Sequence, residues 1–350
     1  MIDTGGKAVY AATGLTKLHK GRVWVIDCIK AFMIIFVIVN HSNVFDKTGI
    51  VFLYIINPAV PVFMALSGYV FISSNHNSSL SEMYDFKRIK KSFLRYFFPM
   101  LVTIIILSIY EIVLCGTNWI SWIKKILLAD YGVGSYYFSL LVGLIVVMPI
   151  ILKVIRKYKA LGLLIIGVIT IGYECICHII NLDVRIYRIL VFRYLFHVAG
   201  GMYLYIVLNR KSKNSIDIVI TCLSLLIGII YLCIPHFGYN YVVFSYPVWG
   251  RTSMMVGFWV FPIMYLIIKL LKNYDMQNVL GKSISEIGKS SYHIMYSQML
   301  IYYPLYHKYN QMYDFQLITR IFLLTGIMVL SCIIGCIWRK SEYKVILKLT

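Results

Sequence analysis

The sequence predicts an all-α integral membrane bundle of about ten transmembrane helices with both termini in the cytoplasm. Three observations lead to this fold class. Of the 350 residues, 60% are hydrophobic and only 14% are charged, whereas a soluble domain carries about 25% charged residues. The apolar residues come in runs of about 18 or more, the length that crosses a hydrocarbon core. Lys and Arg concentrate in alternate segments between these runs.

The apolar runs predict ten spans and two shorter helices. The predicted spans are 23–43, 50–73, 97–114, 136–155, 161–180, 189–208, 216–235, 252–271, 290–306 and 317–338. Two further stretches, 83–96 and 119–129, mix Trp, Phe and Ile with Lys and Arg. That mixture is typical of amphipathic helices that lie in the membrane interface rather than cross it.

The distribution of Lys and Arg predicts the orientation of the bundle. The segments on one side, which include both chain ends, hold 24 of the 34 basic residues, and those on the other side hold nine. Cytoplasmic loops carry the excess of basic residues. We therefore expect a cytoplasmic tail at 1–22, a transmembrane domain at 23–338 and a cytoplasmic tail at 339–350, in a multi-pass protein of the cell (plasma or inner) membrane.

The net charge of +20 first suggests a nucleic-acid partner, because a basic surface attracts phosphate. The positions of the charges exclude that class, since the basic residues lie between apolar runs. The predicted surroundings are therefore a lipid bilayer, with no nucleic acid. The eight cysteines and eight histidines show neither a disulfide pattern nor zinc-type spacing. No metal site and no permanently bound cofactor is predicted.

The first span contains three ionisable residues, Asp27, Lys30 and His41. Each charged group at the centre of such a helix costs about 2.5–3.5 kcal/mol on insertion scales, so these residues usually face a cavity and mark a functional site. Eleven residues separate Lys30 from His41, which returns to within about 20° of one helix face over roughly 16 Å. Asp27, one turn before Lys30, can pair with it. The alternative is that Asp27 and Lys30 snorkel at the interface and His41 lies in the outer headgroup zone.

A channel with an ammonium near its cytoplasmic mouth and an imidazole deeper in the membrane suits a long anionic donor. Its phosphates would lie at the mouth, and a reactive thioester carbonyl would reach the imidazole.

Several motifs resemble those of the acyltransferase 3 family, bacterial multi-span enzymes that O-acylate carbohydrates and related acceptors. That family typically has Asp, then Arg or Lys, ten residues, and His in its opening helix, and Lys30 and His41 match. The other similar segments are Pro61-Val-Phe-Met-Ala-Leu-Ser-Gly-Tyr69, the basic stretch 86–95 with Pro99 after it, the aromatic stretches 136–140 and 192–201, and the motif 288–298, in which Gln298 replaces the common His. The resemblance covers residues 22 to about 338.

The resemblance implies a membrane-bound O-acyltransferase, a transferase of groups other than aminoacyl groups. It would move an acyl group, with acetyl favoured, from acyl-CoA as co-substrate to a hydroxyl of a cell-surface or exported carbohydrate. His41, Lys30 and Asp27 would be the catalytic residues. The CoA phosphates would bind to the basic residues Lys87, Arg88, Lys91 and Arg95. That stretch could instead be an ordinary cytoplasmic segment touching anionic lipid.

Other functions and sites stay open from the sequence. A polytopic transporter or flippase would use the polar residues as a substrate path, and a glycan polymerase is a third class. Arg185, Arg188 and Arg193 break the charge bias at the outer end, where they could contact an acceptor, although interface anchoring is the preferred interpretation. Ser67 and Gly68 are predicted to allow close helix packing rather than to supply a nucleophile.

Overall fold

The computed structural model describes residues 24–42, 52–210, 215–233, 254–271, 273, 274, 276, 278–308 and 316–349. The α-helices are α1 (Trp24–Ser42), α2 (Ala59–Ser74), α3 (Leu80–Met83), α4 (Phe86–Ile109), α5 (Trp119–Leu127), α6 (Tyr137–Tyr158), α7 (Ala160–Ile179), α8 (Val184–Ile189), α9 (Leu195–Leu208), α10 (Ser215–Cys233), α11 (Gly257–Leu271), α12 (Val279–Lys289), α13 (Ser291–Lys308) and α14 (Leu317–Leu349). Short π-helical turns lie at Phe52–Ile56 and Tyr110–Leu114, and 3-10 turns at Val191–Tyr194 and Met254–Val256.

The outer surface of the bundle is apolar. Within the described ranges, eight helical segments are long and apolar enough to cross a membrane. They and their neighbours expose aliphatic side chains such as Ile105 on α4, Val168 on α7 and Leu226 on α10. Lipid tails cover such a surface without cost. The predicted all-α multi-span bundle is confirmed, and the count of ten spans and the cytoplasmic position of the termini stay predictions.

The basic stretch before the third span differs from its prediction. Segment 83–96 forms no separate interfacial helix, because α4 starts at Phe86 and runs without a break through Pro99 to Ile109. Asp85 caps its start by accepting a hydrogen bond from the backbone N–H of Arg88 at 3.3 Å. Lys, Arg and Leu are good helix formers, so nothing in the stretch ends the helix. The predicted helix at 119–129 does form, as α5.

The predicted tails are described only in part. α14 continues as one helix to Leu349, so residues 339–349 are helical, and their position in the cytoplasm stays a prediction. The predicted tail 1–22 lies outside the described residues.

Helices α2 and α9 cross with their backbones in contact. A Cβ added at Gly68 would collide with the backbone carbonyl of Val198, and one added at Gly201 would collide with that of Ala65. Only glycine therefore fits at these two positions, and small residues allow this kind of backbone approach between membrane helices. The predicted packing role of Gly68 is confirmed.

Helix α1 lies between two groups of packed helices. Its residues Val25 and Ile29 belong to a core formed mainly with α2, α6, α9 and α11. Its residues Ile34 and Ile38 belong to a second core formed mainly with α4, α13 and α14. The first span is thus enclosed on two sides, and its polar face is held inside the bundle.

The α2–α9 crossing generates a stability prediction. In Gly201→Ala the new methyl group must push the two helices apart, and overpacking of this kind costs about 1–3 kcal/mol. We expect a clearly lower midpoint of thermal unfolding in detergent, measured by fluorescence-detected size-exclusion chromatography. Gly172 on α7 is the matched control, because no atom lies within 4 Å of a Cβ added there. Equal midpoints for Gly201→Ala and Gly172→Ala would contradict the crossing.

Candidate active site

A cavity of about 850 Å³ lies inside the bundle along α1. Asp27, Lys30 and His41 all line it, together with residues from α2, α4, α6, α13 and α14. Lys30 and His41 therefore face one cavity, as their eleven-residue spacing predicts. The depth of these side chains in the bilayer, and with it the alternative of the interface or headgroup zone, stays a prediction.

Helix α12 fixes the start of α1 and the position of Asp27. Asp27 is 1% exposed, and its Oδ2 accepts a hydrogen bond from the Ser285 hydroxyl at 3.2 Å. A Cβ added at Gly288 would collide with the backbone carbonyl of Asp27, so the two helices touch through their backbones. Trp24 adds a hydrogen bond from its indole Nε1 to the carbonyl of Gly281 at 3.0 Å. The predicted pairing of Asp27 with Lys30 stays a prediction.

Of the four residues predicted to bind CoA phosphates, the structure brings one to the cavity. Arg95 lines it, whereas Lys87, Arg88 and Lys91 do not and are exposed on the preceding turns of α4. Arg88 and Lys91 precede Arg95 by seven and four residues, so they continue the same helix face outward from the cavity.

Two further cations, Lys289 and Arg339, line the cavity, and the sequence pattern did not predict either of them. Lys289 Nζ lies 3.1 Å from Glu286 Oε1, and Arg339 Nη2 lies 2.5 Å from Glu286 Oε2. Burial raises the pKa of the Glu286 carboxyl, but the hydrogen bond from Lys289 and the charge of Arg339 outweigh it, and the pKa lies below its ordinary value. Glu286 is therefore an anion at neutral pH and holds both cations in place. The Gly-Lys pair in the motif 288–298 was the only feature of the sequence that pointed to Lys289 as a site residue.

The motif 288–298 supplies more of the cavity wall. His293 Nε2 lies 3.2 Å from Glu342 Oε2, and both residues line the cavity. Tyr292 donates a hydrogen bond from its hydroxyl to the carbonyl of Tyr96 at 2.8 Å, which ties α13 to α4. Gln298 is buried but does not line the cavity. The residue at the common histidine position of the family is thus an amide inside the helix packing.

A second cavity, of about 610 Å³, adjoins the first. Its wall includes the loop from Leu128 to Ser135 and three arginines, Arg185, Arg188 and Arg193. Among the described residues, four line both cavities: His41, Val60, Gly134 and Tyr136. His41 therefore lies where the two cavities meet.

A family model described as an acyltransferase domain matches residues 23–337, nearly the whole chain. The chain belongs to the acyltransferase 3 family. It is accordingly an acyl-transferring enzyme, and its apolar helices make it a multi-pass membrane protein. Among curated proteins and among solved structures, no match to this acyltransferase was found. The roles of individual site residues stay predictions.

The cavity of this acyltransferase predicts a pattern of thiol accessibility. Ser73 lines the cavity, whereas Thr103 is fully buried and its hydroxyl donates to the carbonyl of Pro99 at 2.8 Å. In a background without native cysteines, Ser73→Cys should react with a charged methanethiosulfonate on the order of tenfold faster than Thr103→Cys, because only an accessible thiolate reacts. The rate is measured by mass shift after timed labelling of inverted vesicles. Equal rates would contradict a cavity open to water.

Proposed function

We propose that this acyltransferase is a plasma-membrane O-acetyltransferase that moves an acetyl group from acetyl-CoA to a hydroxyl of a cell-surface or exported carbohydrate. The position of His41 between the two cavities is the observation that carries the proposal. A donor in the first cavity and an acceptor in the second would meet at the same imidazole. The lining of each cavity then suggests what it accepts.

The first cavity suits the donor because its lining is cationic. Lys30, Arg95, Lys289 and Arg339 line it, against the carboxylates of Asp27 and Glu342. CoA carries phosphates, which form charge-assisted hydrogen bonds with guanidinium and ammonium groups. With the phosphates held near Lys30, the flexible arm of CoA has roughly 16 Å of helix to follow before its thioester reaches His41.

His41 would then act in one of two ways, and both need a neutral imidazole. As a general base it takes the proton of the acceptor hydroxyl while that oxygen attacks the thioester carbonyl. The ester C–O bond forms, the C–S bond breaks, and the CoA thiolate takes the proton from the imidazolium. As a nucleophile it first displaces the thiolate and carries the acetyl group, which the acceptor hydroxyl then removes.

Asp27 and Lys30 would have supporting roles near the donor. Lys30 binds a donor phosphate as a point charge, since an ammonium lacks the planar fork of arginine. Asp27, held by Ser285, offsets the charge of Lys30 from one turn away. In this proposal Asp27 is a positioning residue and does not touch the reacting atoms.

A transporter or flippase is the main competing function, because ionisable residues also line substrate paths. Membership of an acyltransferase family favours the enzyme. The two differ in an observable reaction, since a transporter releases no free CoA from acetyl-CoA. A polymerase would instead change glycan chain length.

Loss of the imidazole tests the proposal directly. We expect His41→Ala in nanodiscs to lower CoA release and acetyl transfer by about 10²–10⁴-fold, the usual contribution of a positioned acid–base group. Both are measured with purified protein, acetyl-CoA and surface glycan from a strain that lacks the gene. His178, exposed on α7 and outside both cavities, supplies the control His178→Ala. Normal acetylation by a well-folded His41→Ala protein would refute the role of His41.

The cationic lining predicts a defect in donor binding. Arg95→Gln should raise KM for acetyl-CoA about tenfold with a smaller change in kcat, because one charge-assisted hydrogen bond is lost. Lys90→Gln is the matched control, since Lys90 is exposed and lies about 140° from Arg95 around α4. A KM that does not change in Arg95→Gln, or changes equally in both variants, would contradict donor binding at this face.

A further inference from the structure

The second cavity contains an unusual concentration of positive charge for the outer side of the bundle. Three guanidinium groups, from Arg185, Arg188 and Arg193, line it together with one carboxylate, Asp130. Segments predicted to lie outside the cytoplasm are otherwise poor in Lys and Arg, as the positive-inside rule requires. Interface anchoring alone does not explain why these three side chains line one cavity.

Two of the arginines already have partners in the structure. Arg193 is 4% exposed, and its guanidinium carbon lies 4.5 Å from the ring centre of Tyr194 and 5.1 Å from that of Tyr187. Tyr187 is in turn fixed by hydrogen bonds from its hydroxyl to both carboxylate oxygens of Glu174, at 2.8 and 2.9 Å. Arg185 forms a two-point ion pair with Asp183, at 2.7 and 3.1 Å.

Arg188 is the cation that remains available to a ligand. It is exposed at the cavity wall and makes no hydrogen bond or ion pair with any residue in the described part of the chain. Asp183 is an anion at neutral pH, because the hydrogen bonds from Arg185 lower its pKa to about 2. Asp183 therefore offsets the charge of Arg185. Arg188 and Arg193 still outnumber the carboxylate of Asp130 in the lining.

Neutral hydrogen-bonding groups lie beside these cations. Asn57 lines the cavity and is 6% exposed, and its side-chain N–H₂ has no hydrogen-bond partner within the described ranges. A buried donor without a partner costs about 1–3 kcal/mol, so a ligand oxygen at this place would be favourable. The rings of Tyr136 and Tyr303 also line the cavity. Tyr303 is fixed by donating to Glu111 Oε1 at 2.8 Å.

We propose that the second cavity binds an acidic carbohydrate, whose carboxylate or phosphate pairs with Arg188, next to the fixed positive charge of Arg193, while a sugar hydroxyl reaches His41. This inference rests on the proposed function, because it identifies the acceptor of the same reaction as an anionic glycan. The guanidinium fork binds either anion in two-point fashion. Asn57 donates to a ring or hydroxyl oxygen, and the tyrosine rings cover the apolar faces of the sugar.

Binding can be measured without the reaction, in nanodiscs of phosphatidylcholine and in the absence of acetyl-CoA. Tetragalacturonic acid and its full methyl ester share one sugar chain, and esterification removes the negative charges; glucose 6-phosphate with glucose forms the corresponding phosphate pair. By isothermal titration calorimetry, we expect the charged member of at least one pair to bind about tenfold or more tightly than its neutral partner. Its affinity should fall as salt rises.

Substitutions at Arg188 test whether the preference for the charged probe arises from the second cavity. Arg188→Gln should abolish the preference for the charged probe, and Arg188→Lys should retain part of it, because the charge remains without the fork. Arg188 is exposed, so neither variant should impair folding. Arg320→Gln is the control, since Arg320 lines neither cavity. Equal binding of charged and neutral probes, or a preference that survives in Arg188→Gln, would overturn the proposal.

Two further measurements distinguish a glycan site from a lipid site and glycan binding from catalysis. If added phosphatidylglycerol displaces the charged probe in the wild type but not in Arg188→Gln, the arginines bind lipid headgroups and the proposal is wrong. If the probe preference depends on Arg188 but His41→Ala leaves acetylation normal, the acidic-glycan site stands and the role of His41 in catalysis does not.

Discussion

A helix that carries an aspartate, a lysine and a histidine through a bilayer must turn those groups away from lipid. The fold meets this constraint by enclosing α1 between two packed groups of helices and by leaving a cavity along its polar face. Close backbone contacts hold the enclosure in place, at Gly68 and Gly201 between α2 and α9 and at Gly288 on the carbonyl of Asp27. The close packing at these glycines therefore keeps in place the helices that surround the polar cavity.

The electrostatics of the two cavities follow from the same arrangement. Each is lined by more cations than anions, and the His41 imidazole lies between them. An anionic donor and an anionic acceptor would both be attracted, yet each from its own side, so their charges stay apart while the thioester and the hydroxyl approach. Glu286 forms ion pairs with Lys289 and Arg339, and Asp183 forms one with Arg185. These ion pairs pre-organise the lining of the cavities before a ligand arrives.

The candidate site could be predicted wherever one helix carried the whole pattern. Lys30 and His41 lie on one helix, so their common face follows from the residue spacing alone. The basic stretch on α4 was recognised from its charge, but charge did not reveal that Arg95 reaches the cavity and Lys87 does not. Lys289 and Arg339 could not be predicted because their place depends on α12 and α14 packing near α1, contacts that join residues some 250 or more positions apart.

The sequence by itself determined that the chain lies in a lipid bilayer, because long apolar runs require one. It also determined which side chains share a helix face, because helical periodicity sets that. The short motifs were also enough to place the chain in its family. What only the tertiary structure decided was which faces meet. The second cavity needs α1, the loop before α6 and the arginines around α8 in one place, and the long-range packing that joins them leaves no local periodic signal in the sequence.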